Sequence, residues 1–307
     1  MTEPRIAVLV PCRDEEATVG EVVRGFRAAL PGATVYVYDN NSTDRTREVA
    51  AAAGAVVRSE SQPGKGSVVR RMFADIEADA YVLVDGDGTY DASAAPEMVR
   101  RLLEERLDMV TAIRVDESVG AYRPGHRFGN LMLTGMVRLV FGNRITDMLS
   151  GYRTFSRRFV KSFPALAHGF ETETEFTVHA LELHLPVGEL PTPYRERPAG
   201  SASKLHTIRD GVRILGTIAA LVRRERPLPF FGGLAALLLL LAALLMIPVL
   251  ETYLETGLVP RMPSFLASVG LTILAWLSIA CGLILDTVTQ GRREAKRMAY
   301  LSIPSRY

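Results

Sequence analysis

Cysteine, tryptophan and a surplus of either charge are what this chain has least of. There are 2 cysteines in 307 residues. Cys12 lies beside an expected strand and Cys281 inside a hydrophobic run, which excludes a disulfide framework and predicts a reducing compartment around the soluble part. Cys12 reads as a small buried filler rather than a nucleophile. Lys and Arg number 36 against 34 Asp and Glu, a net charge of +2, and no nucleic-acid partner is expected. Three ligand motifs are missing as well. No GxGxxG occurs, Gly64-Lys65 is followed by Gly66 rather than Ser or Thr, and a calcium loop begun at Asp85 would put Tyr90 where Gly is needed and Pro96 where Glu is needed. Met1-Thr2-Glu3-Pro4 shows no basic segment followed by an apolar one, so no signal peptide is expected.

What is present divides the chain. Up to about Leu205 strand-like and helix-like segments alternate. Ile6 to Val10 ends at Pro11, and a helical pattern follows through Val19, Val22, Val23, Phe26 and Leu30. Thr34 to Tyr38 ends in the turn-rich Asp39-Asn40-Asn41-Ser42-Thr43-Asp44, and Val56-Val57 makes a third short strand. Met109 to Ile113 and Val187 to Tyr194 read as further strands, with helices at Pro96 to Glu105, His126 to Phe141 and around Phe176 to Leu183. Such alternation predicts an α/β fold with a mostly parallel sheet, whose ligands bind beyond the carboxyl ends of the strands.

The chain is organised around Tyr81-Val82-Leu83-Val84-Asp85-Gly86-Asp87-Gly88-Thr89-Tyr90-Asp91. An apolar run fit for a buried strand ends in two carboxylates one residue apart, and continued strand periodicity would aim both to one side. Paired carboxylates suit Mg²⁺ or Mn²⁺, hard cations that keep waters and share substrate phosphates as ligands. Pro11, Asp39 and Asp85 all fall at expected strand ends and would line one cleft.

Beyond Leu205 the pattern changes. Residues 206–228 carry Ile208, Val212, Leu215, Ile218 and Val222 at helical spacing among arginines, which predicts an amphipathic helix on a membrane surface. Phe230 to Leu250 and Ser264 to Leu285 are nearly charge-free runs of about 20 residues, enough to span the bilayer. Arg223, Arg224 and Arg226 precede the first, and Arg292, Arg293, Lys296 and Arg297 follow the second. The positive-inside rule therefore predicts a multi-pass protein of the inner membrane with both flanks cytoplasmic. The expected division is a catalytic domain over 1–205, the juxtamembrane segment, and a two-helix hairpin with a basic tail over 229–307. Gly232, Gly233 and Gly270 are small residues on which hairpins of a homo-oligomer could pack.

Five short motifs occur in order: Val10-Pro11-Cys12-Arg13-Asp14-Glu15, Asp39-Asn40-Asn41-Ser42-Thr43-Asp44, Gly64-Lys65-Gly66, Asp85-Gly86-Asp87 and Ser150-Gly151-Tyr152-Arg153. Together they resemble glycosyltransferase family 2, and in particular its polyprenyl-phosphate branch. The resemblance implies a GT-A fold and inverting transfer of a sugar from a UDP- or GDP-linked donor to a polyprenyl phosphate. It implies that Pro11, Asp14, Glu15, Asp39 and Lys65 meet the nucleotide and that Asp85 and Asp87 hold the metal on its diphosphate. Thr89 stands where relatives carry a metal-facing Gln and is the poorer ligand. Arg114, Arg127 and Lys204 are implied as the cations holding the acceptor phosphate, with Arg153 and Arg197 as further cations for the same role. A phosphate monoester, with a second pKa of about 6, needs no general base.

Three rivals remain at this point. A processive polysaccharide synthase is opposed by the lone Trp276, since that class carries a Gln-x-x-Arg-Trp motif in its catalytic domain. A lipid-hydroxyl or glycan acceptor would require a base such as Asp147, Glu171, Glu173 or Glu175, although Asp147 could equally order the loop before Ser150. A non-catalytic nucleotide-binding scaffold is opposed by the intact Asp85 and Asp87.

Overall fold

The computed structural model describes residues 3–116, 146–166, 172–195, 223 and 225–304. The chain forms two compact units, one of Met1–Asp210 with Ala295–Tyr307 and the other of Gly211–Glu294. The last residues group with the first unit rather than with the two long apolar helices. The juxtamembrane helix expected before Arg223 lies outside the described residues.

In the first unit, β1 (Ile6–Cys12), β2 (Thr34–Asp39), β3 (Val56–Ser59) and β4 (Ala80–Leu83) are joined by α1 (Val19–Ala29), α2 (Thr46–Ala52) and α3 (Lys65–Asp75). A 3₁₀ turn, Ala92–Ala94, leads into α4 (Ala95–Glu104). It is followed by β5 (Met109–Asp116), β6 (Arg153–Ser156), α5 (Arg157–Ser162), α6 (Thr172–Glu182) and β7 (Val187–Tyr194). The strands make one sheet in the order β3-β2-β1-β4-β6-β5-β7. All neighbours are parallel except β6, which runs antiparallel to both β4 and β5.

β1 explains the centre of the sheet. Ala7, Val8, Leu9 and Val10 are all buried, as a strand covered by helices on both faces requires, and that is why the sequence there is an unbroken apolar run. Val19, Val22, Val23 and Phe26 of α1 pack on one side with Met98, Val99 and Leu102 of α4. A second cluster is aromatic. Phe155 stacks on Phe159 at 4.7 Å between ring centres, and Phe73, Phe163 and Phe176 close around them.

The second unit holds α7 (Pro227–Thr256) and most of α8 (Met262–Ser302), two helices long and apolar enough to cross a membrane. Their buried positions recur every seven residues: Ala235, Ala242 and Val249 on α7, then Ser268, Ala275, Gly282 and Thr289 on α8. A heptad spacing of small residues lets two helices approach closely along a seam. A β-carbon at Gly282 would lie 3.1 Å from Cβ of Phe231, whereas Gly232, Gly233 and Gly270 face open space within the chain. At 41 residues α8 runs roughly 60 Å, about twice the hydrocarbon thickness.

The end of α8 accounts for the grouping of the last residues with the first unit. Tyr300 donates to Asp108 Oδ2 at 2.9 Å, Lys296 reaches Glu182 at 2.6 Å, and Arg158 donates to the carbonyl of Ile303 at 2.8 Å while lying over the Tyr300 ring. The expected basic tail is therefore a helix end docked on buried carboxylates of the first unit.

Candidate active site

Three neighbouring parallel strands, β2, β1 and β4, end side by side, and their ends carry Asp39, Pro11 and the acidic turn. Cys12 is in register with Asp39, and Asn40 N donates to the Cys12 carbonyl at 2.8 Å, so the β1 and β2 ends are tied together. Asp39 is 3 % exposed. Its Oδ2 accepts from Ser42 N at 3.3 Å, while its Oδ1 has no hydrogen-bond partner among the described residues. A buried carboxylate oxygen left open is costly in a finished fold and marks a place where a ligand donor belongs.

Asp14 and Glu15 sit in the loop after β1. Asp14 has a φ of 53° and accepts from Thr43 N at 2.7 Å, and Glu15 N donates to Thr46 Oγ1 at 2.8 Å. These contacts join the loops that follow β1 and β2. Asn40 closes the next link. Its amide donates to the carbonyls of Glu60 and Gln62, and its Oδ1 accepts from Gly64 N, each at 2.8 Å. Lys65 is thus delivered at the first residue of α3.

The acidic turn departs from the strand geometry expected of it. β4 stops at Leu83, and residues 86–88 turn the chain, so Asp85 and Asp87 are placed by hydrogen bonds rather than by pleat. Thr18 Oγ1 donates to the Gly86 carbonyl at 2.7 Å, which pins the turn to the start of α1. Thr89 donates to Asp87 Oδ1 through N at 3.2 Å and through Oγ1 at 2.7 Å. The Thr89 hydroxyl therefore orients Asp87, the service its position gives in place of the implied ligand.

Asp85 is bound to Lys65 Nζ at 2.5 Å, and the same ammonium contacts Glu173 Oε1 on α6. Burial alone would lower the Lys65 pKa, but Asp85 and Glu173 hold it well above the lysine norm. Burial raises Asp85, opposed by Lys65 and assisted by Asp87 and Glu173, and its pKa is pushed up to about 6. Cys12 lies under the turn. Burial, then Glu15, Asp39, Asp85 and Asp87, drive its thiol pKa far up, so it is an inert packing group as expected.

The donor set suits a divalent ion. Two carboxylates face one region, and an ammonium stands there as a cation already. Among the described residues no third His, Cys, Asp or Glu completes a ligand set with them, which fits a hard cation that takes its other oxygens from water and substrate.

On the far side of the turn, Tyr90 OH accepts from Gly151 N at 2.8 Å, and its ring meets those of Tyr152 and Tyr194 edge-on. The Arg114 guanidinium lies 5.5 Å from the Tyr194 ring centre. It grips Asp147 with two hydrogen bonds of 2.8 Å. Burial would raise Asp147, yet the Arg114 bonds hold its pKa below the usual carboxylate value.

Arg153 departs from the role assigned to it. It is 0 % exposed and donates to the carbonyls of Ser150 and Met148 and to Thr177 Oγ1. A guanidinium with its donors turned inward shapes the 148–153 loop and is not presented to a phosphate. Arg127, Arg197 and Lys204 lie outside the described residues. Thr18, Asn40 and Tyr90 were missed as placing residues. By sequence Thr18 and Asn40 are ordinary capping or turn residues, and Tyr90 is one aromatic residue beside the acidic turn.

Residues 7–163 match the family described as glycosyl transferase family 2. The chain belongs to that family. A Haloferax volcanii glycosyltransferase, AglJ, is 34% identical over 233 residues, covering 76% of this chain and 77% of the relative. A dolichyl-phosphate hexose transferase of the same organism is 27% identical over 228 residues, covering 72% of this chain and 95% of the relative. Among solved structures, glucosyl-3-phosphoglycerate synthase from Mycobacterium tuberculosis, crystallised with Mn²⁺, UDP and glucosyl-3-phosphoglycerate, superimposes with a TM-score of 0.57 at 25% identity. That likeness covers 71% of this chain and 79% of the synthase. The fold is GT-A-like, and neighbours of this fold bind Mn²⁺ or Mg²⁺ together with UDP.

Proposed function

We propose that this family 2 enzyme transfers a hexose, with inversion, from a UDP- or GDP-linked donor to a polyprenyl phosphate at the cytoplasmic face of a membrane. What carries the reading is one chain holding both an acidic strand-end cleft with an open carboxylate oxygen and two helices of membrane-spanning length. Asp39 Oδ1 is suited to accept the N–H of a uracil or guanine edge. The loops bearing Pro11, Asp14 and Glu15 adjoin it and would frame the nucleotide.

Asp85 and Asp87 would hold Mg²⁺ or Mn²⁺, which when bound supplies Lewis-acid stabilisation of the departing diphosphate. Lys65, the one described cation touching Asp85 in this cleft, adds a second positive charge for phosphate oxygens. Thr89 and Thr18 fix the turn so that no reorganisation is needed as charge develops. The acceptor phosphate is already anionic at neutral pH and requires cations rather than a base. Arg114, held flat by Asp147, is suited to that task, with Arg127, Arg197 and Lys204 as the other candidates.

Radiolabelled UDP-glucose, UDP-galactose, UDP-N-acetylglucosamine and GDP-mannose, each offered with undecaprenyl phosphate in detergent, test the reading. Label in the lipid fraction that needs Mg²⁺ or Mn²⁺ supports it. Label on a lipid hydroxyl or on a glycan would move the acceptor, and nucleotide binding without transfer from any donor would favour a scaffold.

A further inference from the structure

We propose that Lys65, anchored by Glu173, is a built-in cation that competes with the divalent ion for Asp85 until a diphosphate draws it away. The inference rests on the reading that Asp85 and Asp87 hold the metal. It adds a role for Glu173, which that reading does not use.

Lys65 stands at the first residue of α3, and its ammonium is shared between Asp85 from the acidic turn and Glu173 from the first turn of α6. Glu173 is 4 % exposed, and its Oε2 has no hydrogen-bond partner among the described residues. A buried carboxylate with one oxygen on a lysine and the other open is poorly explained as a structural ion pair, because an open oxygen is costly to bury. It is well explained as the fixed end of a hinge. The lysine side chain is long and flexible, with three donors on one nitrogen, and two anchors hold it across the mouth of the metal site.

The charges dictate the consequence. Without Lys65, the carboxylates of Asp85, Asp87 and Glu173 would repel one another. With it, a divalent ion approaching Asp85 meets an ammonium already in contact with that carboxylate. The protein alone therefore binds metal weakly. Phosphate oxygens of a nucleoside diphosphate offer Lys65 a new partner, and Glu173 keeps it within reach while Asp85 is released. Metal and diphosphate then bind with positive coupling, which must be reciprocal. Glu173 is a positioning residue, acting through Lys65.

The test is Mn²⁺ binding to the full-length protein in detergent without nucleotide, read from the electron paramagnetic resonance signal of free Mn²⁺. Lys65→Met is expected to bind Mn²⁺ about 10-fold tighter than wild type. Lys65→Gln provides the same test should the first variant fold poorly, and Lys65→Arg should stay near wild type. Glu173→Gln, which leaves the ammonium to Asp85 alone, should bind more weakly. Damage to the fold weakens binding in every variant, so a gain in Lys65→Met is not a structural effect. Unchanged or weaker binding in both Lys65→Met and Lys65→Gln overturns the proposal. Asp87→Ala separates the two levels. If it binds Mn²⁺ like wild type, the metal reading itself falls. If it abolishes binding while Lys65→Met changes nothing, only the competition falls.

Discussion

Gly151 stands so close to Asp85 that a β-carbon there would meet the carboxylate. The Ser150-Gly151-Tyr152-Arg153 motif is thus the wall against which Asp85 rests, and Tyr90 fastens that wall through Gly151 N. Gly151→Ala should push the Asp85 side chain off Lys65 and lower kcat/KM about 100-fold, with secondary structure retained by circular dichroism. Wild-type turnover in this variant would show that the approach is incidental.

Arg114 and Asp147 form a bidentate pair in which the carboxylate is buried and the guanidinium partly so. Removing Asp147 leaves that guanidinium charged and unpaired, at a cost of about 2 to 3 kcal/mol. Asp147→Asn should therefore lower the melting temperature of the catalytic unit sharply. The double variant Arg114→Met with Asp147→Asn should recover part of that loss. Equal or additive losses in thermal melts would mean that the two residues act independently.

The docked end of α8 makes a stability prediction of its own. Lys296→Met takes an ammonium from Glu182, whose side chain is fully buried, and Tyr300→Phe takes a donor from Asp108. Each should lower the melting temperature by several degrees, at roughly 2 to 4 °C per kcal/mol for a domain of this size. Truncation after Glu294 should cost at least as much as both together. A truncated protein that melts like wild type would contradict the docking.

His179 gives the pH dependence. It lies between the rings of Phe159 and Phe163, near Ser162 and with Glu182 and Lys296 as charged neighbours. Burial first, and Lys296 second, lower its pKa to about 4 from an ordinary 6.5. Because the folded pKa is the lower one, the unfolded chain binds the extra proton between these values. The His179 contribution is complete above pH 6.5 and is lost as pH falls toward 4, by roughly 3 kcal/mol. Thermal melts across this window should show the decline, and His179→Gln should flatten it. An unaltered slope in the variant would assign the decline to other groups.

Much of this was legible in the chain. β1, β2, β3, β7 and the run into Asp85 follow from apolar runs bounded by turn residues, and the two long helices follow from length and hydropathy. What was not legible depended on contacts distant in sequence. β6 enters the sheet antiparallel between β4 and β5, and nothing local to Arg153–Ser156 distinguishes that from a parallel strand. Arg153 reads as a surface cation by type, yet Thr177 and the Ser150 and Met148 carbonyls turn it inward. The strand-period argument for Asp85 and Asp87 does not describe their placement, since Thr18 and Thr89, not the pleat, set the turn. The docking of the α8 end was not legible because Asp108 and Glu182, its partners, lie more than a hundred residues earlier.

The account stands most directly on the acidic turn acting in transfer to a lipid phosphate. Wild type and Asp87→Ala should be compared for metal-dependent movement of label from a nucleotide sugar into undecaprenyl phosphate. Acid-labile label in the lipid from wild type, abolished by chelator and reduced at least about 1,000-fold in Asp87→Ala, is the predicted result. Transfer that persists in Asp87→Ala, or a wild type that labels no lipid phosphate from any of the four donors, would contradict it.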